Sequence, residues 1–83
     1  MKNKVTVTIA GVTKSGKSRI AYIIKESLRV HGLNVTFDPS PDFGDETSFN
    51  RTMRTNFDGC MEALSEQTEV VVTEVQLNRD GKL

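Results

Sequence analysis

Several kinds of residue are scarce here: one cysteine, no tryptophan, two prolines and one histidine in 83 residues. A lone Cys60 excludes an intramolecular disulfide and reads as a small apolar residue for a buried position. No apolar run approaches the ~20 residues of a bilayer-crossing helix. The N-terminal alternation of valine or isoleucine with threonine also makes a poor signal-peptide core. The expectation is a cytoplasmic chain that keeps away from membranes. Neither charge is in excess, with 11 Lys+Arg against 11 Asp+Glu. A dedicated nucleic-acid binder usually shows a basic surplus, so nucleic acid is not an expected partner. There is no repeat, low-complexity tract or linker, and residues 1–83 make one small domain. Such a chain buries only about 60% of the surface its unfolded form exposes, so ligand binding or self-association would add usefully to a thin stability margin.

What is present has a clear order. Residues 4–10 alternate, with Val5, Val7 and Ile9 on one side and Thr6 and Thr8 on the other, which predicts a first strand. Ile20, Ile23, Ile24 and Leu28 recur at helical spacing, predicting a helix from Lys17 to about His31 with Gly32 as its left-handed stop. Residues 34–38 read as a second strand. Pro39 and Pro41, among Asp42, Asp45 and Glu46, interrupt any regular element. Phe49, Met53, Phe57, Cys60, Met61 and Leu64 then form one stripe, predicting a single helix over 47–67 with Gly59 tolerated inside it. Val70, Val71, Val72 and Val75 give a third strand over 69–77. Strand–helix alternation predicts an α/β fold, a minimal three-stranded parallel sheet of βαβαβ order with two helices. The threonine face of the first strand fits that sheet poorly, because parallel strands are usually apolar on both sides.

The most specific segment is Gly11-Val12-Thr13-Lys14-Ser15-Gly16-Lys17-Ser18, which fits G-x-x-x-x-G-K-[ST]. Gly11 and Gly16 allow turns and close approaches that a β-carbon obstructs. The amides of Gly11, Thr13, Lys14, Ser15, Gly16, Lys17 and Ser18 then form a concave anion nest, backed by the positive end of the helix that follows. Lys17 brings a point charge to the β and γ phosphates, and the Ser18 hydroxyl is placed to ligate Mg²⁺. ATP, or another nucleoside triphosphate, with Mg²⁺ is the expected ligand.

Val5 through Asp38, with the loop above and His31-Gly32-Leu33-Asn34-Val35 after it, resembles the opening β–P-loop–α–β unit of P-loop small-molecule kinases such as adenylylsulfate and nucleoside kinases. The whole chain is also similar to small P-loop proteins of bacteriophages and bacteria. The resemblance implies strand order 2-3-1. It also implies an acidic residue ending a neighbouring strand and holding Mg²⁺ through water. Glu74 is nearest to that place and would act on the metal or on a water, or else is a solvated strand residue. Asp38, at the end of the second strand, is a further metal candidate or a turn-starter before Pro39. Kinases of this kind add further strands, a base-binding loop and an arginine-bearing lid, and no stretch of this sequence supplies them.

Other patterns lead nowhere. Asp42-Phe43-Gly44 spells a kinase triplet without a catalytic loop, and no zinc spacing or Ser-His-Asp set stands out. Arg51, Arg54 and Arg79 are either solvated or donated to a site across a homodimer. His31 reads as a capping or surface residue. The function favoured is a non-catalytic or accessory nucleotide-binding module that docks on a larger partner. The alternative is an ATPase or kinase-like phosphotransferase, with Lys17 and Glu74 as its catalytic groups, completed by an oligomer or partner. A third reading is capture of a phosphorylated metabolite.

Overall fold

A computed structural model of the chain describes residues 3–12 and 15–77. The first regular element, α1 (Lys17–Val30), begins where the β-branched run gives way to long, straight side chains. It stops as the sequence predicts. Gly32 sits at φ +84°, its amide reaches the Arg29 carbonyl at 2.9 Å, and the Leu33 amide reaches the Leu28 carbonyl at 3.2 Å. These two bonds make the Schellman pattern that satisfies the helix's last carbonyls. Residues 33–40 run irregularly into one 3₁₀ turn (Pro41–Phe43), with proline at its first turn where no amide donor is needed.

Asp45 then opens α2 (Glu46–Arg54) by accepting the Ser48 amide at 2.8 Å. That bond to the ionised carboxylate holds the Asp45 pKa below its ordinary value. The single helix expected over 47–67 is in fact two. α2 ends at Arg54, and Asn56 takes the left-handed conformation (φ 49°) before α3 (Phe57–Gln67) begins. Asparagine tolerates that conformation and favours helix starts, so the stripe bends there.

The expected three-stranded parallel sheet is absent. Among the described residues there is no strand, so neither the α/β class nor the order 2-3-1 holds, and the architecture is helical. Segments 4–10, 34–38 and 69–77 lie without ladder partners. The reason lies in where the apolar side chains go. Ile9 and Phe37 turn inward to the core, and the aromatics that would have covered a sheet pack on one another between α1 and α2. Nothing remains to cover 70–75, and Val71 and Val72 are 76% and 88% exposed. These extended flanks raise the Cα radius of gyration to 14.4 Å, against roughly 12 Å for a compact chain of this length. No helix among the described residues is long and apolar enough to cross a membrane.

The core is small. Ala21, Phe49 and Met53 are buried, with Ile9, Tyr22, Phe37 and Phe43 packed around them. Phe49 is central, its ring 4.7 Å from Phe37 and 5.0 Å from Phe43. The buried side of α1 is therefore Ala21 and Lys25, whereas Ile20, Ile23, Ile24 and Leu28 are only half-buried. Lys25 is 2% exposed, with its ammonium 4.9 Å from the Tyr22 ring centre and 5.5 Å from that of Phe37. Its charge is offset by Glu46, 3.1 Å away, and Glu26, 3.5 Å away, although no hydrogen-bond acceptor aligns with it among the described residues. Arg29 closes the cluster with a two-pronged bond to Glu46 and a 2.9 Å bond to the Val35 carbonyl.

This cluster predicts acid sensitivity. Hydrogen bonding from Arg29, reinforced by Lys25, lowers the Glu46 pKa from its ordinary 4.5 to about 2. A carboxylate with a depressed folded-state pKa stabilises the fold fully above the unfolded value and loses that contribution as pH falls through the folded one. Urea midpoints should be level near neutrality and fall between about pH 5 and pH 2, with the fall reduced in Glu46→Gln. A wild-type midpoint that stays level through that window would remove Glu46 from the account.

Candidate functional site

The loop and the start of α1 carry the densest chemistry. Ser15 donates its amide to the Val12 carbonyl at 3.1 Å, and Gly16 accepts the Ile20 amide at 3.1 Å. Gly16 is the N-cap of α1, at φ +89°, and has no side chain with which to cap it. No acidic residue occupies the first turn either, so among the described residues no side chain caps the amides of Lys17, Ser18 and Arg19. Gly16 is required by its backbone, since φ +89° is a conformation that L side chains rarely adopt, whereas at Gly11 only the movable Ser15 hydroxyl stands in the way. A β-carbon on Gly11 would meet Ser15 Oγ at 2.5 Å, and one on Gly16 would meet Leu64 Cδ1 at 2.1 Å. Thr13 and Lys14, expected in the nest, lie outside the described residues, as does Arg79.

Lys17 and Ser18 are half-buried and face a cleft of about 340 Å³. The same cleft is lined by Thr36, Phe37, Asp38 and Ser40, by Val7, Thr8 and Ile9, and by Ala21 and Phe49. The structure thus brings Lys17, Ser18 and Asp38 to one hollow. A second hollow of about 240 Å³ is lined by Gly16, Lys17, Ser18 and Arg19 with Phe43 and Met53. An ammonium, a hydroxyl, a carboxylate and a helix N-terminus suit a phosphate with a hard divalent cation.

Glu74 is not brought there. It is exposed in the extended C-terminal stretch and lines neither hollow. No group of three His, Cys, Asp or Glu side chains among the described residues is placed to hold a metal ion by itself. Arg51 and Arg54 are exposed, and Arg54 bonds the Tyr22 hydroxyl at 3.3 Å. Arg19, in the first turn of α1, is occupied by the Met53 carbonyl at 2.7 Å. His31 is exposed, with Nδ1 on the Ser27 carbonyl at 2.7 Å, and Cys60 is half-buried in α3. Of the acidic loop residues, Asp42 is exposed, Asp45 caps α2 and Glu46 neutralises buried cations.

Comparison with known proteins finds no matching family model, no matching curated protein and no matching solved structure. The functional reading therefore rests on the chain's own residues. Some of these escape sequence reading. Thr36 and Ser40 add hydroxyls to the cleft, and their only signal is that they flank Asp38. Thr68 donates its hydroxyl to the Ser15 carbonyl at 2.9 Å across 53 positions, and no spacing rule announces such a contact.

Proposed function

We propose that the chain binds the phosphates of a nucleoside triphosphate, ATP with Mg²⁺, as a non-catalytic module that works with a larger protein. The observation carrying this is the shared cleft. Lys17 and Ser18, at the start of a helix that follows Gly16 in its left-handed conformation, line it together with Asp38. Lys17 would neutralise phosphate charge, while Ser18 and Asp38 would hold the cation, Asp38 directly or through water. A divalent cation held by these residues would supply charge neutralisation to the phosphates. Transfer would further need a dry, closed site with cationic groups on the leaving oxygens. The described arginines serve elsewhere or face solvent, so binding without turnover is the better fit.

The test is thermal unfolding with ATP, GTP, ADP and inorganic phosphate, with and without Mg²⁺, for wild type and Lys17→Ala. Ligand at 100 times its dissociation constant should add about 2.7 kcal/mol, a shift of several degrees for a domain this small. A Mg²⁺-dependent shift that disappears in Lys17→Ala is expected, with phosphate release no faster than in a protein-free control. No shift at millimolar nucleotide would overturn the proposal. Steady phosphate release that Lys17→Ala abolishes would replace the module with an ATPase or phosphotransferase.

A further inference from the structure

We infer that the C-terminal end of α3 sets the conformation of the phosphate-binding loop, with Thr68 as its positioning residue; this rests on the phosphate-binding reading above. Two contacts lead there. Thr68, half-buried, donates its hydroxyl to the Ser15 carbonyl at 2.9 Å, while its amide ends α3 on the Leu64 carbonyl at 2.9 Å. One turn back, the Leu64 methyl fills the space where a β-carbon of Gly16 would be. The segment 15–16 is thus held by the C-terminal end of α3 at two points, Thr68 on the Ser15 carbonyl and Leu64 against Gly16.

The consequence follows from peptide geometry. In a planar trans peptide the carbonyl and the amide point in opposite directions. Anchoring the Ser15 carbonyl to Thr68 turns the Gly16 amide away from α3 and fixes the plane of the peptide that leads into α1. That amide is one of those the loop would offer to a phosphate. If the anchor is lost, the peptide between Ser15 and a glycine with a positive φ is free to rotate, and binding must then restore its orientation. Occupancy of the loop and docking of α3 are therefore linked, and each strengthens the other. α2 has its own tie to the same region, from Arg19 to Met53, and does not depend on Thr68.

The test compares wild type, Thr68→Val and Thr68→Ser. Valine keeps the shape and removes the donor, whereas serine keeps the donor. Dissociation constants for ATP with Mg²⁺ are measured by calorimetry at a temperature where all three are folded, and ligand-free melting temperatures are recorded beside them. Thr68→Val should weaken binding about fivefold, the effect of one ordinary hydrogen bond, and Thr68→Ser should bind within about twofold of wild type. Amide exchange over 57–68 should slow when nucleotide binds to wild type, and should slow less in Thr68→Val. A lower melting temperature in Thr68→Val with an unchanged dissociation constant would reduce the contact to packing and overturn the inference. Absence of binding by wild type is a separate result, and it would take down the phosphate-binding reading together with this one.

Discussion

Phe49→Ala should leave a chain with no cooperative thermal transition and a collapsed near-ultraviolet aromatic signal. Phe49 is 1% exposed and is the largest fully buried side chain among the described residues. It is also the point where the parts meet, since Phe37 reaches it from the segment after α1, Phe43 from the 3₁₀ turn and Tyr22 from α1. Truncating a buried phenylalanine costs about 3–5 kcal/mol. Chains of this length have roughly 4–12 kcal/mol in total. With Ala21 and Met53 the only other apolar side chains buried among the described residues, this one belongs near the lower end. The substitution removes most of that margin. A variant that melts cooperatively within a few degrees of wild type would show that the aromatic cluster is not the core.

The second large effect concerns charge. Glu46→Gln removes the carboxylate that Arg29 grips and that lies 3.1 Å from Lys25 Nζ, leaving a 2%-exposed ammonium with only Glu26 to offset it. Breaking one side of a buried pair costs about 3–5 kcal/mol, and the lower figure applies because Glu46 is itself 29% exposed and Glu26 remains. Lys25→Met should behave differently. It deletes the buried charge and places a flexible thioether among Tyr22, Phe37 and Phe49, so its stability should lie within about 1 kcal/mol of wild type or above it. Urea titrations of the three proteins compare these directly. Equal losses in both variants would mean that the aromatic box and its ion pairs contribute net stability as a unit, contrary to this account.

The local signals in the sequence were the dependable ones. Gly16 before Lys17 and Gly32 after the apolar period bracketed α1 almost to the residue, because a cap is decided by a few neighbouring atoms. The break between α2 and α3 was also written locally, in Asn56 ahead of Phe57, but the continuous apolar stripe masked it. The sheet failed for another reason. Alternating β-branched residues favour extended backbone without naming a partner for it, and here the aromatics took the core between the helices instead. The burial of Lys25 was not legible, because lysine at that spacing reads as one of the polar residues of α1. Glu46, 21 positions later, makes its burial tolerable together with the neighbouring Glu26. In the candidate site, Lys17 and Ser18 were named from the motif, and Asp38 from the end of a second strand that does not form, although it still lines the cleft. Glu74 was tied to a strand that does not form. Thr68 was invisible, since a bond spanning 53 positions leaves no mark on sequence spacing.

The burial of Lys25 also gives the molecule an internal clock. An acylating reagent finds the Lys4 amine on the exposed N-terminal segment in every molecule. It finds the Lys25 amine only in those whose first two helices have momentarily parted. The ratio of the two modified peptides in a mass spectrum therefore counts openings of the core. It needs no probe, no substitution and no knowledge of the ligand, and any compound that slows the Lys25 mark while sparing the Lys4 mark has bound to the closed form.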